Sequence, residues 1–330
     1  MYTNNNPYNV EDRCYDPEHI ESVLEVISKN FKTYFSRYIE TDGGVIKELN
    51  IKSLEDKFGI SSVKKKNPKD IGLTYKSIIN DAIEKYESDR AKYLKILDPD
   101  YLDEFYDSPQ VFKSKILRNE CPIIRATINM GSKALDKYRA NFNACDPNLM
   151  LDVTFNLVEF ALDYIENTYN EDEYDNISEI DDLGLYDLDF EPADKPYSAN
   201  GVIGGGIRSH FLYKISPAAF PNRGRMALWA LWYLTDNKTF GCHTDSEFIM
   251  VDINKCITQQ NYFYPYELFT YYAFHIYKML KEKADEYGVN IDTKYRYVLV
   301  ESFLNFVAGE HITDIELFSH QISNEGRGYD

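Results

Sequence analysis

Between Ala140 and Asp194 the sequence has no lysine and no arginine, while the same stretch holds sixteen Asp and Glu, a local charge of −16. The whole chain carries −18, so the remainder is close to neutral. An acidic balance ordinarily excludes nucleic acid as a partner, but here the exclusion applies to one segment and leaves the rest of the surface open to it. Cysteine is scarce as well: five residues, odd in number and without a Cys-x-x-Cys pair, which argues against a disulfide framework and for free thiols in a reducing compartment. No apolar run reaches the length of a membrane span, and "MYTNNNPYNVEDRCYD" lacks the basic and apolar regions of a secretory signal. The expectation is a cytoplasmic protein without a membrane partner. Internal repeats are absent, and the richness in Asn, Lys, Ile and Tyr is compatible with an AT-rich bacterial or phage genome.

What is present points to helices around an aromatic core. Hydrophobic residues make up 44% of the chain and aromatics 15%, ample for a large core. Asp16-Pro17 is a cap and first-turn pair, after which Ile20, Val23, Leu24, Ile27, Phe31, Tyr34, Phe35 and Tyr38 recur at helical spacing until Gly43 and Gly44. A second long helix is expected from near Thr74 to the Asp98-Pro99 break. Pro99, Pro109 and Pro122 each mark the start of a shorter one, because the first turn leaves unused the donor that proline lacks. Leu149 to Tyr169 continues the pattern. "MALWALWYL" (Met226 to Leu234) reads as a helix buried on nearly all sides, "FIMVDI" (Phe248 to Ile253) as a strand, and 265–287 and about 295–307 as further helices. The expected fold is mainly α: a helical N-terminal lobe over 1–170, an acidic connector over 171–197 whose dense like charge predicts loose packing, and a helical C-terminal lobe over 198–330 with a small strand element.

The stretch "GVIGGGIRSH" is the first candidate site. Gly201 and Gly206 stand at the spacing of a nucleotide-binding phosphate loop, but Ile207 occupies the lysine position and no apolar strand precedes it, so that motif is rejected. A weaker reading survives: Gly204, Gly205 and Gly206 can turn backbone amides toward one point, and a helix starting near Ser209 adds its unpaired amino-terminal donors. Arg208 and His210 follow, and Asn222 as a cap would place Arg223 and Arg225 in the first turn of the buried helix, where the helix dipole disfavours cations by roughly 0.3–1 kcal/mol each. Such placement makes sense if an anion shares the site, and pairing with acids elsewhere is the plainer explanation. From Lys195 to Thr235 there are five basic residues and no acid, so a +5 segment abuts the −16 one. Arg208, Ser209, His210, Arg223, Arg225 and the three glycines therefore form the candidate site for a phosphate-bearing ligand, nucleic acid foremost.

A second constellation is His243, Asp245, Glu247 and Asp252, hard donors that suit Mg²⁺ or Mn²⁺ if they converge and would make the protein a metal-dependent hydrolase or nuclease. Asp245, Asp252 and Lys255 are loosely similar to the acids and lysine of PD-(D/E)xK nucleases, with the Glu-x-Lys pair absent. Aromatic density peaks from Tyr262 to Tyr277, where nine of sixteen residues are Tyr or Phe. Base stacking and core filling both use such rings, and helical spacing favours the core. "IKSLEDKFGISSVKKKNPKD" hints at a helix-turn-helix that Pro68 interrupts, leaving a basic turn. A third functional class is a protein-interaction module whose acidic segment docks a basic partner.

Overall fold

The computed structural model describes residues 12–44, 68–131, 135–189, 192, 194–242, 247–252 and 257–325. The fold is mainly α. Numbered in chain order, the longer helices are α1 (Pro17–Glu40), α2 (Pro68–Arg90), α3 (Pro122–Asn129), α4 (Asp136–Ala144), α5 (Pro147–Asn167), α6 (Gly205–Ile215), α7 (Arg225–Leu234), α8 (Tyr266–Glu286), α9 (Arg296–Glu310) and α10 (Ile312–Glu325). A two-stranded antiparallel ribbon, β1 (Ile249–Asp252) and β2 (Ile257–Gln260), lies between α7 and α8 with Ile249 opposite Gln260.

The helix boundaries follow from local chemistry. Asp16 adopts the extended conformation of an N-cap with Pro17 behind it, and α1 then buries Ile20, Val23, Ile27, Phe31, Phe35, Tyr38 and Ile39 on one face. It stops where Asp42, Gly43 and Gly44 take φ of 51°, 77° and 72°. At Gly43 a Cβ would also stand 3.0 Å from the side chain of Ile78 on α2, so the turn requires glycine twice over. Short helices do open at Pro99, Pro109 and Pro122. The basic turn expected at 51–67 lies outside the described residues.

One core runs through both halves of the chain. α1 packs on α7, α8 and α9, and α2 packs on α9, so helices from the two expected lobes share their buried faces. The acidic stretch likewise departs from an open connector. It folds into short turns, Glu171–Tyr174, Ile180–Leu183 and Tyr186–Asp189, with Tyr174, Leu183, Leu185 and Leu188 buried and the last turn against α8. Magnitudes explain the difference. Each fully buried leucine is worth about 1.5–3 kcal/mol, whereas exposed carboxylates repel weakly beyond a screening length of about 8 Å at physiological salt.

Arg296, at the start of α9, holds this segment from beneath. It is fully buried and pairs with Glu171 at 3.3 Å and Asp175 at 3.4 Å. It also donates to Ala218 O at 2.6 Å and Tyr169 Oη at 3.0 Å, with its guanidinium over the rings of Tyr174 and Tyr277.

Candidate functional site

The glycine run separates into residues with different reasons to be glycine. Gly201 has φ of 74° in the turn closed by the Ala199–Ile203 bridge, and a Cβ there would stand 2.1 Å from Asn141 Nδ2. Gly205 opens α6, and its missing Cβ would stand 1.6 Å from Arg223 Nη2. The guanidinium thus rests directly on the backbone at the helix start, donating to Tyr262 O at 3.0 Å and Asn261 O at 3.4 Å. Gly204 caps α6 in extended backbone and Gly206 lies in its first turn; among the described residues nothing beyond the helix's own backbone comes within 4 Å of the Cβ position of either. The run therefore starts a helix four residues earlier than Ser209, and two of its glycines serve packing while two do not.

The basic residues of the segment are mostly committed internally. Arg208 is 3% exposed and donates to Asp189 at 3.3 Å. Lys214 is buried against Asp89 at 2.9 Å and over the Tyr86 ring. Lys195 pairs with Glu159 at the surface. Ser209 is a latch: its hydroxyl donates to Gly206 O at 3.0 Å and accepts from Arg223 N at 3.1 Å. His210 packs edge-on against Tyr93, and burial, aided by the charge of Lys214, lowers its pKa to about 3, so the ring is neutral and supplies no cation. Gly224, rather than Asn222, caps α7, which leaves Arg223 outside the helix and Arg225 at its first position. Arg225 is exposed, and its charge acts on the phenol of Tyr262. Tyr262 and Phe263 are 55% and 56% exposed, the outermost rings of the aromatic cluster whose other members fill the core.

Beneath this surface lies a buried carboxylate pair. Asp189 accepts from the backbone of Tyr266 at 2.8 Å and Glu267 at 2.9 Å, so it caps α8 while neutralising Arg208. Glu267 accepts from Leu185 N at 3.2 Å. Burial first, then the charge of Asp189, raises the Glu267 pKa to about 8. Burial raises the Asp189 carboxyl as well, but the Arg208 charge and the two α8 amides work against that shift, so we read Asp189 as the ionised partner and Glu267 as the protonated one. A folded pKa above the unfolded value means that the native state holds a proton that the unfolded chain has released. The associated stability is full below the unfolded pKa near 4.5 and is lost as pH rises toward 8. The expected result is a urea midpoint that falls between pH 5 and 8 in the wild type and falls less in Glu267→Gln. Identical pH slopes in the two proteins would refute the assignment.

Of the hard-donor constellation, His243, Asp245 and the neighbouring Lys255 lie outside the described residues. Glu247 is buried, with a carboxylate oxygen accepting from Phe240 N at 2.9 Å, and Asp252 ends β1. Glu247 thus has a structural partner of its own. Among the described residues no helix is long and apolar enough to cross a membrane. Sequence reasoning missed Asp189 and Glu267 because both sit in strongly acidic or aromatic contexts that hide a single buried carboxylate. Comparison with protein-family models, with curated proteins and with solved structures finds no match for this chain, so the site's own geometry carries the functional argument.

Proposed function

We propose that the protein binds a phosphate-bearing ligand, single-stranded nucleic acid foremost, on the surface formed by Gly204, Gly206, Arg225, Tyr262 and Phe263. The observation that carries this reading is Gly206. It stands in the first turn of a helix, and apart from that helix's own backbone no atom of the described residues lies within 4 Å of where its Cβ would be. Glycine in a helix interior is less favourable than alanine by about 1 kcal/mol, and neither φ nor packing demands it here. What glycine does supply is unobstructed approach to the first amides of α6, the donors that a phosphate oxygen uses. Arg225 brings an exposed guanidinium to the same side as Tyr262, where it can meet a phosphate. The two exposed rings suit base stacking, worth about 1–3 kcal/mol per base.

Gly206→Leu should fold normally, since leucine is a better helix former and meets open space, yet bind labelled oligo-dT or oligo-rU at least tenfold more weakly by fluorescence anisotropy. Tyr262→Ala with Phe263→Ala should weaken binding similarly. Because one exposed arginine serves the phosphates, the salt dependence should be shallow, and Arg225→Gln should reduce the log–log slope by about 0.7. Failure of the wild type to bind either oligonucleotide at low salt would overturn the proposal, as would variants that bind like wild type. Running the assay with Mg²⁺ or Mn²⁺ and resolving the products on a gel separates binding from hydrolysis.

A further inference from the structure

Three donor atoms that the sequence scatters over 228 positions converge on one point. Cys14 lies in the helical turn Asp12–Tyr15, His19 in the first turn of α1, and Cys242 in the segment after α7. The two sulfurs are 3.3 Å apart, His19 Nδ1 is 3.9 Å from Cys242 Sγ, and all three donors lie within 4.8 Å of one another. A tetrahedral zinc ion with Zn–S near 2.3 Å and Zn–N near 2.0 Å spaces its ligands about 3.8 Å apart for S–S and about 3.5 Å for S–N. The observed distances straddle those values. We propose that Cys14, His19 and Cys242 bind a zinc ion.

The frame of the site is held by groups other than the donors. Arg13 donates to Phe240 O at 3.0 Å and Gly241 O at 3.2 Å, tying the turn before α1 to the segment that carries Cys242. Glu247 fixes the same segment through Phe240 N, and the Phe240 ring packs edge-on against His19. The donors are thus brought together before any ion arrives, which lowers the ordering cost of binding. Cys14 is buried whereas His19 and Cys242 are half-exposed, so the cluster has a wall on one side and an approach on the other. Two sulfurs and an imidazole select zinc over magnesium or manganese, which prefer oxygen. The site is therefore chemically distinct from the oxygen-rich candidates that follow it in sequence. Binding deprotonates both thiols, so affinity falls as pH drops. The ion would cross-link the start of α1 to the segment that follows α7, a structural role independent of the oligonucleotide surface.

The experiment uses the whole protein, purified under reducing conditions. Expected are one zinc per chain by elemental analysis after zinc loading and desalting, and, with Co²⁺ in its place, a thiolate-to-cobalt charge-transfer band. Chelation should lower the melting temperature by several degrees, and Cys242→Ser and His19→Ala should lose the stoichiometric zinc. Cys145→Ser combined with Cys256→Ser should keep it. Wild-type protein that retains no zinc and shows no charge-transfer band overturns the proposal, and needs no variant to fold. So does a Cys242→Ser protein that retains zinc, or a Cys14–Cys242 disulfide by peptide mapping in a protein whose reduced form takes up no metal.

Discussion

Replacing Arg296 with alanine is expected to lower the free energy of unfolding by about 3–5 kcal/mol, the range found when a large, fully buried side chain is truncated. Three losses combine. Ala218 O forfeits the guanidinium donor at 2.6 Å, the rings of Tyr174 and Tyr277 lose the group between them, and the space left by a fully buried arginine is a cavity. Glu171 and Asp175 lose least, since both are about a third exposed or more and can turn to water. Arg296→Lys should recover part of the loss, because an ammonium can keep one of these contacts but cannot fork among a carbonyl, a phenol and two carboxylates. Urea unfolding measures the total. Limited digestion with a glutamate-specific protease reads the local consequence, as cleavage at Glu171 and Glu173 should accelerate in the alanine variant. A change below about 1 kcal/mol, outside the range expected for so large a buried side chain, with an unchanged digestion pattern would show that the acidic segment is held by its leucines alone.

How far the fold was legible depended on whether the deciding chemistry was local. Proline at Pro17, Pro99, Pro109 and Pro122 fixes φ and removes a donor at the residue itself, so helix starts could be read directly. The strand Ile249–Asp252 was expected from its apolar run, but its partner, Ile257–Gln260, is an ITQQ stretch with one apolar residue, and pairing rather than pattern makes it a strand. In the acidic segment the carboxylates dominated the reading, while Ile180, Leu183, Leu185 and Leu188 gave the true signal: a few anchors facing the core with most of the charges, Asp189 excepted, turned outward. At the glycine run the location was visible and the roles were not. Arg208 finds Asp189 and Arg223 finds the carbonyls of Asn261 and Tyr262, partners 19 to 39 residues away that no local pattern announces. The Cys14–Cys242 approach, 228 residues apart, lies further still from anything spacing can reveal.

Asp189→Ala should be as damaging as the loss of Arg296, about 3–5 kcal/mol, and for a different reason. The side chain itself is small. What it leaves behind is Arg208, 3% exposed and with no other hydrogen-bonded counter-ion among the described residues, together with two uncapped amides at the start of α8. A double-mutant cycle separates these. Arg208→Leu added to Asp189→Ala removes the stranded charge, so the double variant should be more stable than Asp189→Ala alone, with the residual deficit reporting the lost cap. Strict additivity of the two single changes would mean that the ion pair contributes nothing and that Asp189 acts only on α8. The same variant bears on the charge map. Asp189 joins the acidic segment to a cation of the basic one, as Glu159 does to Lys195 at the surface, and it does so as a buried counter-ion beside three buried leucines. Removing 171–189 would therefore unfold the core rather than expose a binding surface. Masking of a ligand site by the remaining acids is better tested at exposed positions, with Asp181→Asn and Asp187→Asn. If those carboxylates compete with ligand phosphate, oligonucleotide affinity should rise in this pair, most at low salt where the screening length is long. Unchanged affinity would confine the role of the acidic segment to packing and to its structural ion pairs, Asp189 with Arg208 and Glu171 and Asp175 with Arg296.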